Sequence, residues 1–233
     1  MATTSTKHVV LFPFPGQGHL VSFLEAARLL LHALPGDVSI TLVSTPRNVV
    51  ALRASTSASS SSLDISFHAL PFVPADHSLP DNCESTNSLP PSAYLTLFEA
   101  FESLEPAFDA YISRLVAEND GSVCVISDVF VARRRGCAHA VFVSCGALGA
   151  AILHALWKNM PALPFCYDGL LRLPEHPEVE LHRSQMSPVF LFSPSHVTDR
   201  AVAFHHRQIQ HGYLTDAVLV NTVQELEPTG RPG

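Results

Sequence analysis

The sequence predicts an α/β fold: a doubly wound parallel sheet with helices on both faces. Three observations carry this. Short apolar runs of strand length alternate with segments whose apolar residues recur every three or four positions, the pattern of right-handed βαβ units. The strand-like runs are apolar throughout, as strands covered on both faces must be. The composition, 47% hydrophobic and 15% charged over 233 residues with a mean hydropathy of +0.21, excludes a disordered chain and supports a well-buried core.

The elements follow in order along the chain. His8–Phe14 is an apolar run of strand length, and Pro15-Gly16-Gln17-Gly18 forces a turn after it. His19–Leu34 places Leu20, Phe23, Leu24, Ala27, Leu30, Leu31 and Leu34 on one helical face, and Pro35-Gly36-Asp37 ends it. Val38–Val43 is a second strand, and Pro46 opens a short helix running to about Ala54. Ser55–Ser62 is a Ser-rich loop and Leu63–Leu70 a third strand. Pro71–Pro91 carries five prolines and no apolar period. It reads as a long loop, a class that is often functional in compact domains. Ser92–Glu118 is helical in period, with a break into two helices at Pro106. Val123–Ser127 and His139–Val143 are two further buried strands, and Cys145–Trp157 is a helix. Pro161–Pro194 reads as loop, Ser195–Gln210 as helix and Ala217–Val220 as the last strand. The chain, 1–233, is expected to be a single domain, incomplete near 128–138. There the stretch Asp128–Ala138 lies at the lower limit of about a dozen residues for a parallel crossover.

Charge and cysteine usage exclude several functions. Fourteen basic against twenty-one acidic residues give a net charge of −7, which argues against a nucleic-acid partner or attachment to anionic lipid by charge. The five cysteines, Cys83, Cys124, Cys137, Cys145 and Cys166, are odd in number and form no CxxC pair. That argues against a disulfide framework and against zinc, and predicts a reduced, cytoplasmic protein. The most apolar stretch, Val141–Trp157, is interrupted by Ser144, Gly146, Gly149 and His154 and is shorter than the ~20 residues a membrane span needs.

In an open parallel sheet, ligands bind beyond the carboxyl ends of the strands. The residues expected there are Gly16-Gln17-Gly18-His19, Ser44-Thr45, Ser127-Asp128 and Ser144-Cys145. If the first strand and the Asp128 strand are neighbours, His19 and Asp128 can meet. A carboxylate on one imidazole nitrogen fixes the tautomer, and the other nitrogen can then take a proton from a hydroxyl. The helix N-terminus at His19 is expected to disfavour its charged form and keep the base neutral. The plain alternative is that both residues merely cap helices. A phosphate-binding reading of Gly16-x-Gly18 is weakened by Val21, where a third small residue is needed, and by Ser44-Thr45, where an acidic residue is needed. A nucleophilic Cys145 lacks a G-x-S-x-G elbow. His205, His206 and His211 read as the exposed polar face of a helix, and Arg133-Arg134-Arg135 as a solvated helix end.

Four segments carry a family likeness. His8-Val-Val-Leu-Phe-Pro-Phe-Pro-Gly-Gln-Gly-His19-Leu resembles the start of plant UDP-glycosyltransferases. Val125-Ile-Ser-Asp128-Val-Phe resembles their Asp-bearing strand, and Phe142-Val-Ser144-Cys-Gly146-Ala the next strand end and helix start. Val218-Leu-Val-Asn-Thr-Val-Gln-Glu225-Leu-Glu227 is similar to the end of their N-terminal domain.

The resemblance implies the N-terminal half of a GT-B architecture, with the C-terminal donor domain absent from this chain: the Trp-Ala-Pro-Gln and His-Cys-Gly-Trp-Asn-Ser signatures do not occur. It further implies a sugar transferred with inversion from a UDP-sugar to a hydroxyl of a small acceptor such as a flavonoid or terpenoid. By motif match, His19 is the general base and Asp128 orients it. Gln17, Gly18 and His19 bind the acceptor, and Ser144 contacts the transferred sugar. The scheme needs no metal and no cofactor other than the UDP-sugar co-substrate. It carries two expectations for the chain alone: inactivity without a donor domain or, alternatively, life as a non-catalytic small-molecule-binding remnant.

Overall fold

The computed structural model describes residues 7–34, 36, 38–57, 64–119, 122–129, 136–159, 169–186, 199–212 and 214–227. The strands are β1 (Lys7–Phe12), β2 (Val38–Ser44), β3 (Ile65–Ala69), β4 (Val123–Asp128), β5 (Ala138–Val143), β6 (Leu170–Leu173), β7 (His176–His182) and β8 (Ala217–Val220). The α-helices are α1 (Gln17–Ala33), α2 (Pro46–Ser57), α3 (Tyr94–Glu102), α4 (Glu105–Glu118), α5 (Ala147–Asn159) and α6 (Asp199–Gly212). The predicted break near Pro106 is real: Pro106 sits in the first turn of α4, where a missing N–H costs nothing.

Six strands form one parallel sheet in the order β3-β2-β1-β4-β5-β8. The chain lays down β1, β2 and β3 toward one edge, then returns to place β4 on the other side of β1. The order therefore reverses between β1 and β4, the switch point at which ligands bind in open α/β sheets.

Strand alternation sorts the side chains between two cores. Val10, Phe12, Val123 and Val125 face α3 and α4, joining Leu97, Phe101, Phe108 and Ile112. Phe12 stacks on Phe108 with ring centroids 4.2 Å apart and lies 5.1 Å from Phe101. Val9, Leu11, Ile126, Ala140 and Phe142 face α1, joining Leu20, Phe23, Leu24 and Ala27. Those α1 residues are the ones whose spacing marked the helix.

The chain divides into two compact units, Met1–Ser144 with His211–Asn221, and Cys145–Gln210 with Thr222–Gly233. In the second, Leu171, Leu173 and Leu181 pack on Ala155 and Leu156 of α5. Here the structure corrects the expectation of a loop over Pro161–Pro194: β6 and β7 pair as an antiparallel hairpin. Each strand has one alternating apolar face, Leu171 and Leu173 on β6 and Val179 and Leu181 on β7. Pro174 and Pro177 obscured that period in the sequence, but they lie at the turn and near the start of β7, where prolines are tolerated. His205 also departs from the exposed polar face expected of its helix. Its ring stacks on Trp157 at 3.6 Å, and His206 Nε2 meets the Trp157 carbonyl at 2.6 Å. Of the expected Ser-rich loop Ser55–Ser62, the first three residues instead continue α2 to Ser57; the rest of it, the 130–135 part of the crossover with Arg133-Arg134-Arg135, and Cys166 lie outside the described residues. Among the described residues no helix is long and apolar enough to cross a membrane.

Candidate active site

The site is built from the ends of β1, β4 and β5. In β4 the alternation puts Cys124, Ile126 and Asp128 on the α1 side of the sheet. In β5 the same parity carries from Ala140 and Phe142 to Ser144. His19 is the third residue of α1, whose N-cap Gly16 has extended backbone. Asp128, Ser144 and His19 therefore converge from three elements onto one side of the switch point.

His19 Nδ1 lies 2.6 Å from Asp128 Oδ2. The Asp128 side chain is 1% exposed and that of His19 30%. Asp128 Oδ2 also accepts from the Phe14 backbone N–H at 3.4 Å, and Ser144 Oγ lies 3.4 Å from His19 Nδ1. The Phe14 ring meets the imidazole edge-on at 5.4 Å. With Nδ1 held against a carboxylate, the proton belongs on Nδ1 and Nε2 carries the lone pair.

Burial of His19 pushes its pKa down, but the hydrogen bond it donates to Asp128 and the charge of that carboxylate outweigh it and hold the pKa above the ordinary imidazole value. The direction of the shift is therefore set by Asp128 and not by the helix terminus expected to disfavour the charged form. A carboxylate in direct contact acts at 2.6 Å, whereas the helix dipole is spread over a partly exposed first turn.

Gln17 and Gly18 sit beside His19 in the first turn of α1. Gln17 Oε1 accepts from Asn87 Nδ2 at 2.7 Å. A Cβ added at Gly18 would meet nothing within 4 Å, whereas one at Gly16 would lie 2.9 Å from His19 Cδ2 and 3.4 Å from the Phe14 ring. The turn thus needs a glycine at Gly16, next to the imidazole. Among the described residues no group of three His, Cys, Asp or Glu side chains could hold a metal ion. Cys145 is exposed.

Two contributions escaped the sequence reading: the Phe14 amide on Asp128, and the segment 82–87 that reaches Gln17. Strand parity, Ile126 with Asp128 and Phe142 with Ser144, is the sequence signal that places both polar residues on the helix-α1 face.

The family model described as "Glycosyltransferase, N-terminal domain" matches residues 6–140. The chain belongs to this glycosyltransferase family. It corresponds to the N-terminal half of plant family 1 UDP-glycosyltransferases. Crocetin glucosyltransferase 3 of Crocus sativus is 33% identical over 96% of this chain and 47% of its own length. UDP-glycosyltransferase 92A1 of Arabidopsis thaliana is 31% identical over 95% of this chain and 47% of its own length. The glycosyltransferase chain thus spans about half the length of the curated relatives it matches. The fold agrees with solved structures. UGT2 of Phytolacca americana, complexed with UDP-2fluoro-glucose and pterostilbene, superposes with a TM-score of 0.72 at 23% identity, covering 99% of this chain and 50% of that one. UGT73P12 of Glycyrrhiza uralensis, complexed with glycyrrhetinic acid 3-O-monoglucuronide, gives 0.68 at 22% identity, covering 97% of this chain and 45% of that one. These matches establish the N-terminal Rossmann-like domain of the GT-B fold.

Proposed function

We propose that this chain supplies the acceptor-binding domain, over 1–233, and the proton-accepting base of an inverting UDP-sugar glycosyltransferase. The observation that carries the reading is the 2.6 Å contact between His19 Nδ1 and Asp128 Oδ2 at the switch point of the sheet. In this reading His19 Nε2 takes the proton from a hydroxyl of a small acceptor, a flavonoid or terpenoid. The acceptor oxygen forms a bond to the anomeric carbon as the bond from that carbon to UDP breaks, and UDP leaves with the electron pair. Asp128 fixes the tautomer and stabilises the imidazolium that forms. Gln17 and Gly18 flank the acceptor, and Ser144 contacts the transferred sugar. The names of the relatives support a small acceptor and a glucosyl donor. We place the protein in the cytoplasm on its cysteine usage.

The test is transfer from UDP-glucose to a panel of phenolic acceptors by the chain alone and by the chain fused to the C-terminal half of crocetin glucosyltransferase 3. The fusion is expected to transfer and to lose transfer in His19→Ala. Transfer that survives His19→Ala rejects the base assignment. Acceptor binding in both proteins with no transfer in either favours the second reading, a small-molecule-binding module without catalysis.

A further inference from the structure

We propose that Glu84 is a positioning residue for His19: seated on the first turn of α2, its carboxylate fixes the segment 82–87 so that Thr86 and Asn87 hold the Pro15–Gln17 turn from which His19 projects.

The segment lies in the long loop between β3 and α3 and would be expected to be solvated. Glu84 is instead 7% exposed, and a buried carboxylate is costly unless it is hydrogen-bonded. Its Oε2 accepts from the Arg47 backbone N–H at 2.9 Å, at the start of α2, where the helix dipole favours a negative charge. The grip is doubled by the backbone. Buried Asn48 donates from Nδ2 to the Glu84 carbonyl and to Thr45 Oγ1, both at 2.8 Å. Arg47 Nη1 donates to Asn82 Oδ1 at 2.9 Å, and Asn82 itself has the left-handed φ of 68°. Cys83 within the segment, and Leu79 and Leu89 on either side of it, are buried in the same core as Phe14. Polar contacts and burial therefore fix the segment along its length.

Its far end holds the catalytic turn. Thr86 N–H donates to the Pro15 carbonyl at 3.1 Å, and Asn87 Nδ2 donates to Gln17 Oε1 at 2.7 Å. Between those two points lies Gly16, where even a Cβ would press on His19 Cδ2. A turn that drifts by a few tenths of an ångström carries the imidazole with it, and a charge-assisted hydrogen bond as short as that to Asp128 weakens steeply with distance and angle. Asp128, on β4, is the charged group acting on His19; Glu84 works through the backbone of the turn. The catalytic consequence rests on His19 being the base, but the coupling itself does not.

The experiment is an NMR titration of the histidine side chains in the full chain. It needs no turnover, so its failure is separate from failure of the base assignment. Glu84→Ala and Asn87→Ala are expected to lower the His19 pKa by about 0.5 or more, and Glu84→Gln, which keeps an acceptor for the Arg47 amide, to restore most of it. His8, bound to Ser39 and Thr41 in the same sheet, should titrate unchanged. An unchanged His19 in folded Glu84→Ala overturns the proposal, as does a parallel shift of His8 and His19, which would mark general loosening. If Glu84→Ala does not fold, an unchanged His19 in Asn87→Ala, a substitution at an exposed position, overturns it.

Discussion

Gly16 and His19 are packed so closely that a single added carbon at position 16 would sit 2.9 Å from the imidazole Cδ2. The imidazole cannot simply swing aside, because Asp128 holds its other edge at 2.6 Å. Gly16→Ala is therefore expected to lengthen the His19–Asp128 hydrogen bond, lowering the His19 pKa, and to cost about 1–3 kcal/mol of stability as overpacking does. A His19 titration matching the wild type would show that the turn absorbs the methyl group without moving the ring.

Asp128→Asn keeps the shape of the partner and removes its charge. In the wild type the folded pKa of His19 is raised. The matching stabilisation is complete below the ordinary imidazole value near 6.5 and is lost as pH rises through the folded value. In the variant the carboxylate charge no longer opposes burial, which penalises the imidazolium. The destabilisation, about 1.5–3 kcal/mol for a hydrogen bond to a charged group, should be larger at pH 5.5 than at pH 8.5. Urea unfolding of both proteins at both pH values measures this, and an equal or larger loss at pH 8.5 would contradict it.

His205 should produce the opposite slope. Burial against Trp157, with a smaller contribution from His206, lowers its pKa to about 4. The unfolded chain then binds the proton more readily than the folded one, so stability falls as pH drops from about 6.5 toward 4, by up to about 3 kcal/mol. Trp157 is the only tryptophan, and its fluorescence reports this packing directly. His205→Phe should flatten the acid transition of that signal; a transition unchanged by the substitution would place its origin elsewhere.

Phe12 is 1% exposed and touches two aromatic rings, one on α3 and one on α4. Phe12→Ala should cost about 3–5 kcal/mol, the range for emptying an aromatic site in a packed core. Chemical unfolding tests it, and a loss under 1 kcal/mol would mean that α3 and α4 collapse into the space.

The sheet and α1 were legible because their signals are local. Apolar strands between amphipathic helices specify a parallel sheet, and the Leu20, Phe23, Leu24, Ala27 stripe names its own buried face. The meeting of His19 and Asp128 was legible only as a condition, since neighbouring strands must be known first. The β6–β7 hairpin was hidden by its prolines. The role of Glu84 could not be read at all: nothing in the loop sequence ties a carboxylate to a helix start 37 residues earlier. The direction of the His19 shift is set by a contact distance to Asp128, which a helix position alone does not reveal.

The reversal of strand order between β1 and β4 also has a consequence in time. His19 and Asp128 are 109 residues apart in sequence. A ribosome adding about 5–20 residues each second needs on the order of 5–20 s to deliver the second partner after the first. Through that interval β1 has β2 on one side, and its other edge awaits a strand still to be synthesised. The β1 edge that β4 covers, His8–Phe12, is then still unpaired, and His19 meets Asp128 only when that edge closes.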